Sequence, residues 1–400
     1  MAAGNAGIGD RDLQGFKHFR SLRKLLFRLH EVGTKRDTAG NRQLHMDEYC
    51  VLVLLWLFNP AIRTLRGLQR VAEFDEVRKR LGVNRTSLGS LSESVRIFDP
   101  TALATIAAEL SLQLPAAASC RFDAVQQQLT AVDGSVVNTI VRVARLSWTP
   151  KGKGASVSAY RLHTQFEVLR GVPSRIDVTP ANPKGENDER AVLARTIQRD
   201  RCYVIDRGYA KFTLWNAIVA RKSSYVCRVR DNAAYAVERV NELTPADKAA
   251  GVQSDEIVLF GGRRDRQYPD HPVRLVTVKA APHRPRGRNA GPGCDGTLRI
   301  ATSRLDLSAE LIGEIYRQRW LIEVFFRMFK QMLGCRHLLS TKQEGVELQM
   351  YCAIIACLLI ALYTGCRPNV AVFEAICFYL MGWASLEELE ARIAKYSLPA

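Results

Sequence analysis

The sequence predicts an α/β protein: a core interrupted by a β-rich insertion, with an all-α segment before it and helices after it. Three observations predict this. Residues 10–114 show apolar residues at helical spacing. Residues 128–231 alternate short apolar, β-branched runs with two helical stretches. Residues 232–300 turn to short strands among Gly, Pro and Arg, and helical periodicity returns from Leu307 onward.

Four hundred residues allow a sizeable core. The net charge of +17, from 57 Lys and Arg against 40 Asp and Glu, favours a polyanionic partner, and nucleic acid is the usual one. The ten cysteines include no C-x-x-C pair and the seven histidines do not cluster with them, so a zinc site is not expected. The first residues lack the charged and apolar pattern of a secretory signal, which predicts reduced thiols in the cytoplasm. The longest apolar run, 350–363, is short for a bilayer span and reads as a core helix, so no membrane partner is expected.

Along the chain, residues 10–33 form a basic amphipathic helix, with Lys17, Arg20, Arg23, Lys24 and Arg28 alternating with Phe16, Phe19, Leu22, Leu26 and Leu29. Arg20 and Arg23 are candidate DNA contacts. Residues 47–58 form an apolar helix stopped by Asn59-Pro60. Helices at 62–81 and 86–98, separated by Gly82-Val83-Asn84-Arg85, have the layout of a helix-turn-helix, although many helix pairs look the same. A helix at 101–114 and a linker at 115–119 close this N-terminal helical unit, 1–119, read as DNA-binding.

The first part of the core is 120–231. Strands are expected at 128–134, ending in Asp133-Gly134, then at 135–143 and 161–169, with a basic turn at 151–154 and an extended stretch at 174–178. A charged helix follows at 186–200, a strand at 201–206 ending in Asp206, a helix at 209–221 and a strand at 224–230. Three strands, then helix, strand, helix, strand is the order of a ribonuclease-H-like fold. The insertion, 232–300, is rich in arginine, and Arg263 and Arg264 are its candidate DNA contacts, with Arg274 in the same basic set. Residues 301–400 complete the core and add helices at 349–363 and 370–381, and a last one opened by a Ser385–Glu388 capping box.

Residues 315–330 contain no Gly or Pro and read as one uninterrupted helix. On it Tyr316, Arg319, Glu323 and Lys330 fall on one stripe, and Leu321, Phe325, Met328 and Met332 on the opposite, core-facing side. In a sheet of the predicted order, the strands ending in Asp133 and Asp206 are neighbours, and a helix across their edge can add Glu323. Three carboxylates so placed repel one another unless a divalent cation sits between them. Two Mg²⁺ ions on one phosphate oxygen would suit phosphodiester chemistry.

The spacing Tyr316-(2)-Arg319-(3)-Glu323-(6)-Lys330 resembles the Y-(2)-R-(3)-E-(6)-K signature of bacterial insertion-sequence transposases of the IS-four family, which carry a DDE catalytic triad. Asp133-Gly134-Ser135 and Asp206-Arg207-Gly208-Tyr209 resemble the family's other two blocks. The gap of 323 − 206 = 117 residues suits members with a β-rich insertion, and the likeness covers 128–337. The resemblance implies a catalytic, metal-binding triad of Asp133, Asp206 and Glu323, served by two Mg²⁺ ions for which Mn²⁺ substitutes. It implies that Tyr316, Arg319 and Lys330 hold DNA phosphates. Arg207, next to Asp206, is a further candidate DNA contact. It implies double-stranded DNA as partner, both terminal inverted repeats and target, a homodimer in the DNA-bound complex, and cutting followed by joining of the freed 3′-hydroxyl.

Blander readings stand beside these. Arg319 could pair with Glu323 one turn away, Arg207 could be structural, and His163 reads as a core histidine. A metal-dependent nuclease on the same fold, or a non-catalytic DNA-binding protein derived from a transposase, remain alternatives. Some relatives stack a flipped base on a Trp of the insertion. Here 232–300 has no Trp, only Tyr235, Phe260 and Tyr268 as aromatics.

Overall fold

A computed structural model of the chain describes residues 24–32, 36–37, 40, 42–115, 120–138, 159–181, 185–261, 267–280, 296–333, 338–340 and 342–396. Arg20 and Arg23, the basic turn at 151–154, and Arg263 and Arg264 lie outside the described residues.

The N-terminal part is helical. α1 (Met46–Phe58) is buried along most of its length and ends at Asn59, whose extended backbone precedes Pro60. The helix expected at 62–81 is two helices, α2 (Leu65–Val71) and α3 (Asp75–Leu81). The chain turns at Ala72, and Asp75 and Glu76 place acids at the positive end of a new helix. Gly82, with φ 64°, ends α3 in the left-handed region. α4 (Leu88–Ile97) is capped by Ser87 and packs against α2, so the expected two-helix unit is in fact three helices. α5 (Thr101–Leu112) leads to the sheet.

Among the described residues the sheet has nine strands: β1 (Gln128–Asn138), β2 (Ala159–Glu167), β3 (Val172–Pro180), β4 (Arg201–Ile205), β5 (Ser224–Arg228), β6 (Tyr235–Val240), β7 (Val252–Phe260), β8 (Val273–Lys279) and β9 (Thr297–Thr302). Their spatial order is β3-β2-β1-β4-β5-β9-β8-β7-β6. β1, β4 and β5 are parallel, while β2 and β3 fold back antiparallel. The expected break at Gly134 is absent. β1 runs through Asp133 and Gly134, which pair with Thr164 and His163 of β2. An Asp-Gly dipeptide is a turn signal, but the seven further β1–β2 pairs on either side keep this one extended.

The segment 232–300 is β-rich as expected, yet its strands continue the main sheet, because β9 pairs antiparallel with β5. Arg274 is not part of a basic surface. It is 6 % exposed and makes a two-pronged pair with Asp255, Nε donating to Oδ1 and Nη2 to Oδ2 at 2.7 Å each.

Alternation along the strands sorts the core into two faces. Ala131, Cys202, Val204 and Val226 face the larger apolar cluster, which also holds the N-terminal helices and the helices after residue 309. Val132, Tyr203, Ile205 and Cys227 face a smaller cluster, covered by α6 (Glu189–Thr196) and α7 (Phe212–Ala220).

α8 (Pro245–Ala249) lies within the β-rich segment. The expected single helix at 315–330 is broken into α9 (Ala309–Arg317) and α10 (Trp320–Leu333). Between them Arg319 N–H donates to Tyr316 O, Leu321 N–H to Gln318 O and Ile322 N–H to Arg319 O, the tighter i to i+3 pattern of a 3₁₀ turn. No Gly or Pro marks this turn.

α11 (Gln343–Thr364) is longer than the expected apolar run. At 22 residues it is the one helix among the described residues long and apolar enough to cross a membrane, and most of it is buried, against β3, α5 and α1. α12 (Val370–Leu380) and α13 (Leu386–Tyr396) follow, and the expected capping box is formed: Ser385 N–H donates to Glu388 Oε2 at 2.7 Å and Glu388 N–H to Ser385 Oγ at 3.2 Å.

Candidate active site

The sheet brings two acids to one level. Ala131 of β1 pairs with Val204 of β4, and both face the larger cluster. Two residues on, the same parity puts Asp133 and Asp206 side by side on that same face. Asp206 follows β4 directly with extended backbone, and its Oδ1 accepts from Gly208 N–H at 2.7 Å. Asp133 Oδ1 accepts from its neighbour's amide, Gly134 N–H, at 2.8 Å.

The third acid comes from α10, which packs on β1 on this face. Arg319 joins it to the first. Its Nη2 donates to Glu323 Oε1 at 2.5 Å, and its Nη1 lies 3.8 Å from Asp133 Oδ2. The side chains of Arg319, Asp133 and Glu323 are 18 %, 24 % and 35 % exposed, so all three stand at a partly desolvated surface. Burial pushes the Asp133 carboxyl up to about 6, with the charges of Asp206 and Glu189 adding to the rise, against Gly134 N–H and Arg319.

The remaining expected site residues fall in different environments. Tyr316 is buried at 8 % exposure, and Arg319 stands over its ring at 6.0 Å, so it supports the arginine from below. The four-residue stripe expected of one helix is therefore divided: Tyr316 ends α9, Arg319 sits in the turn, and Glu323 and Lys330 belong to α10. Lys330 and Arg207 are exposed. Phe325, Met328 and Met332 face the core as expected. His163 is a core histidine, 4 % exposed, within hydrogen-bond distance of Thr179 Oγ1 at 2.8 Å, and burial depresses it to about 4.

Two residues escaped the sequence reading. Arg228 lies one position beyond Cys227, which pairs with Ile205, so it stands level with Asp206 and on the acids' face. Its Nε is buried with no hydrogen-bond partner among the described residues. An arginine closing a strand carries no signal of its own; only the register reveals it. Trp320, the first residue of α10, is 54 % exposed, with the Arg327 guanidinium 5.1 Å from its ring. Its place between Arg319 and Glu323 in sequence was the available signal.

Among the described residues, no group of three or more His, Cys, Asp or Glu stands in a metal-binding array. The donor set suits a hard divalent cation in kind, being carboxylate oxygens with two at one level. In arrangement, the Arg319 guanidinium takes the counter-charge position between Asp133 and Glu323.

Residues 125–359, which include all three acids, match the transposase DDE domain family. The chain belongs to this family. Two curated relatives are similar. A Sinorhizobium fredii protein, y4zB, named as a candidate transposase, is 28 % identical over 221 residues, 55 % of this chain and 57 % of that one. A Geobacillus stearothermophilus protein named as the candidate transposase of insertion sequence element IS5377 is 29 % identical over 235 residues, 58 % of this chain and 55 % of that one. The chain thus spans a little over half the length of the curated relatives it matches. Among solved structures, a piggyBac transposase synaptic complex with hairpin DNA aligns over 97 % of this chain and 85 % of that one, at 10 % identity and a TM-score of 0.41, too loose a likeness to bear on the fold. The DDE transposase reading of the Tyr316 to Lys330 spacing therefore holds at the level of the family.

Proposed function

We propose that this DDE transposase chain is the cutting and joining enzyme of an insertion sequence of the IS-four kind, built on a ribonuclease-H-like core. The observation that carries this is the placing of Asp133 and Asp206 at one level of one sheet face, with Glu323 linked to Asp133 through Arg319. A cluster of acids facing a basic protein's nucleic-acid partner serves no purpose in plain binding, which favours an enzyme over a derived binding protein. Asp133, Asp206 and Glu323 would hold Mg²⁺ or Mn²⁺, which when bound supplies polarisation of a phosphate oxygen and of the attacking hydroxyl. Arg319 beside the acids, Arg228 level with Asp206, and the exposed Lys330 and Arg207 would supply cations for the flanking phosphates, and neutralising each phosphate contact should lower the salt slope of binding by about one. Terminal inverted repeats and target DNA are the substrates, handled by a homodimer assembled on DNA.

Incubating the protein with Mg²⁺ and a donor carrying the DNA that flanks its own gene tests this. Joined products are expected. Cuts without joining would replace the reading with that of a nuclease, and a gel shift without cutting with that of a binding protein.

A further inference from the structure

Gly134 poses a question that its backbone does not answer. It lies inside β1 and does not adopt a left-handed φ, so chain conformation does not require glycine there. Space does. A Cβ at this position would stand 2.9 Å from Glu189 Cδ and closer still to Glu189 Oε1. The carboxylate of Glu189 rests directly on the β1 backbone, one residue after Asp133.

Glu189 is held there from a second side. Arg161 of β2, across from Val136, donates from Nη1 to Glu189 Oε1. Capping does not account for it, because Asp188 already caps α6 by accepting from Arg190 N–H at 2.9 Å. Strand alternation turns Gly134 and Asp133 to opposite faces, so Glu189 lies behind the strand that Asp133 projects from. Behind it, a cavity of about 10 Å³, room for one water, is lined by Glu189, His163, Gln165 and Tyr209. His163 Nδ1, Gln165 Oε1 and Tyr209 Oη are buried there without a hydrogen-bond partner among the described residues.

We propose that Glu189 is a positioning residue of the active centre: tied to Arg161 and seated on Gly134, it fixes the strand segment that presents Asp133 and adds negative charge behind it. This rests on the metal-dependent reading above. Outer groups that orient a metal's carboxylate or imidazole ligands are worth about 10–100-fold in affinity, and Glu189 is placed to act in that way on Asp133.

The test is calorimetric titration of Mn²⁺ into the full chain without DNA, alongside thermal unfolding. Glu189→Gln keeps the shape and the acceptor for Arg161 but removes the charge. It should weaken Mn²⁺ binding about 10-fold or more with the melting temperature unchanged. Gly134→Ala, which displaces an intact Glu189, should give a similar loss, and the double variant should add little to either. A fallen melting temperature with unchanged Mn²⁺ affinity in Glu189→Gln would make the residue merely structural and overturn the proposal. Should Gly134→Ala not fold, the Glu189→Gln result alone decides. Asp206→Asn separates the two levels. If it abolishes Mn²⁺ binding while Glu189→Gln does not weaken it, only the role of Glu189 falls. If Mn²⁺ binding is indifferent to Asp206, the metal reading itself fails.

Discussion

Arg319 holds Glu323 in a 2.5 Å hydrogen bond from the turn between α9 and α10, while its other terminal nitrogen stands 3.8 Å from Asp133. A guanidinium there meets the charge of both acids, and on the metal-dependent reading it competes with the ion they would hold. Arriving phosphate offers it a two-pronged alternative. Metal and DNA should therefore bind with positive coupling, each releasing a partner the other needs. Replacing Arg319 by Gln should tighten Mn²⁺ binding in the absence of DNA, abolish the gain in Mn²⁺ affinity that DNA gives the wild type, and impair cleavage. Unchanged coupling in that variant, measured by titration with and without duplex, would show that the contact is an ordinary one-turn helix pair.

The raised Asp133 carboxyl gives a pH signature. Its folded value of about 6 exceeds its unfolded value of 3.8, so the native chain keeps a proton that the unfolded chain has lost. The resulting stability is fully present below about pH 4 and lost as pH rises through 6, a change on the order of 2–3 kcal/mol. In the presence of a chelator, Asp133→Asn should therefore be more stable than wild type at pH 7.5, with the gap closing toward pH 4. Urea unfolding across that range measures it, and a gap independent of pH would contradict it. His163 acts in the opposite sense, being depressed to about 4, so its contribution is lost as pH falls from about 6.5 through 4. It is common to both proteins and cancels in the comparison.

The two sides of α10 should part cleanly. Phe325 is 4 % exposed, with its ring 5.5 Å from that of Phe166 and 5.1 Å from that of Phe329. Phe325→Ala should cost about 3–5 kcal/mol of stability. Lys330→Ala should leave the melting temperature alone and weaken the protein–DNA complex. Thermal unfolding and end cleavage on both variants would reveal a reversed pattern if the helix were turned the other way.

These contrasts show what the sequence carried. Asp133 and Asp206 were legible because each closes or follows an apolar run whose alternation gives its facing, and the expected element order sets β1 beside β4, where the two strands pair in the sheet. The core side of α10 was legible from apolar spacing. The turn at Gln318 and Arg319 was not, since no residue there disfavours helix and tertiary packing alone sets it. For the same reason Tyr316 reads as a surface phenol in an ideal helix and is buried in the protein. The continuation of the sheet through β9 was hidden because strand periodicity says nothing about which edge a strand joins. Arg228 and Glu189 needed three-dimensional register, across β5 and β4 for the first and over Gly134 for the second.

Trp320 offers an exposed indole at the start of α10, three residues before Glu323, whereas the 232–300 segment has no Trp. Its ring is half exposed and carries Arg327 on one side. Stacking a base on such a face is worth about 1–3 kcal/mol. Trp320→Ala should lower affinity for duplexes ending in an unpaired fluorescent base analogue by about 10-fold, and Trp320→Phe should retain most of it. Equal quenching of the analogue by wild type and Trp320→Ala would remove Trp320 from DNA contact.

The most direct test of the three-acid centre is Asp206→Asn. Asn keeps the side-chain acceptor for Gly208 N–H, so the turn after β4 survives while the negative charge is lost. With Mg²⁺ and DNA carrying the element's own ends, this variant should bind as wild type does and cut nothing. Cleavage at the wild-type rate by Asp206→Asn would contradict the account.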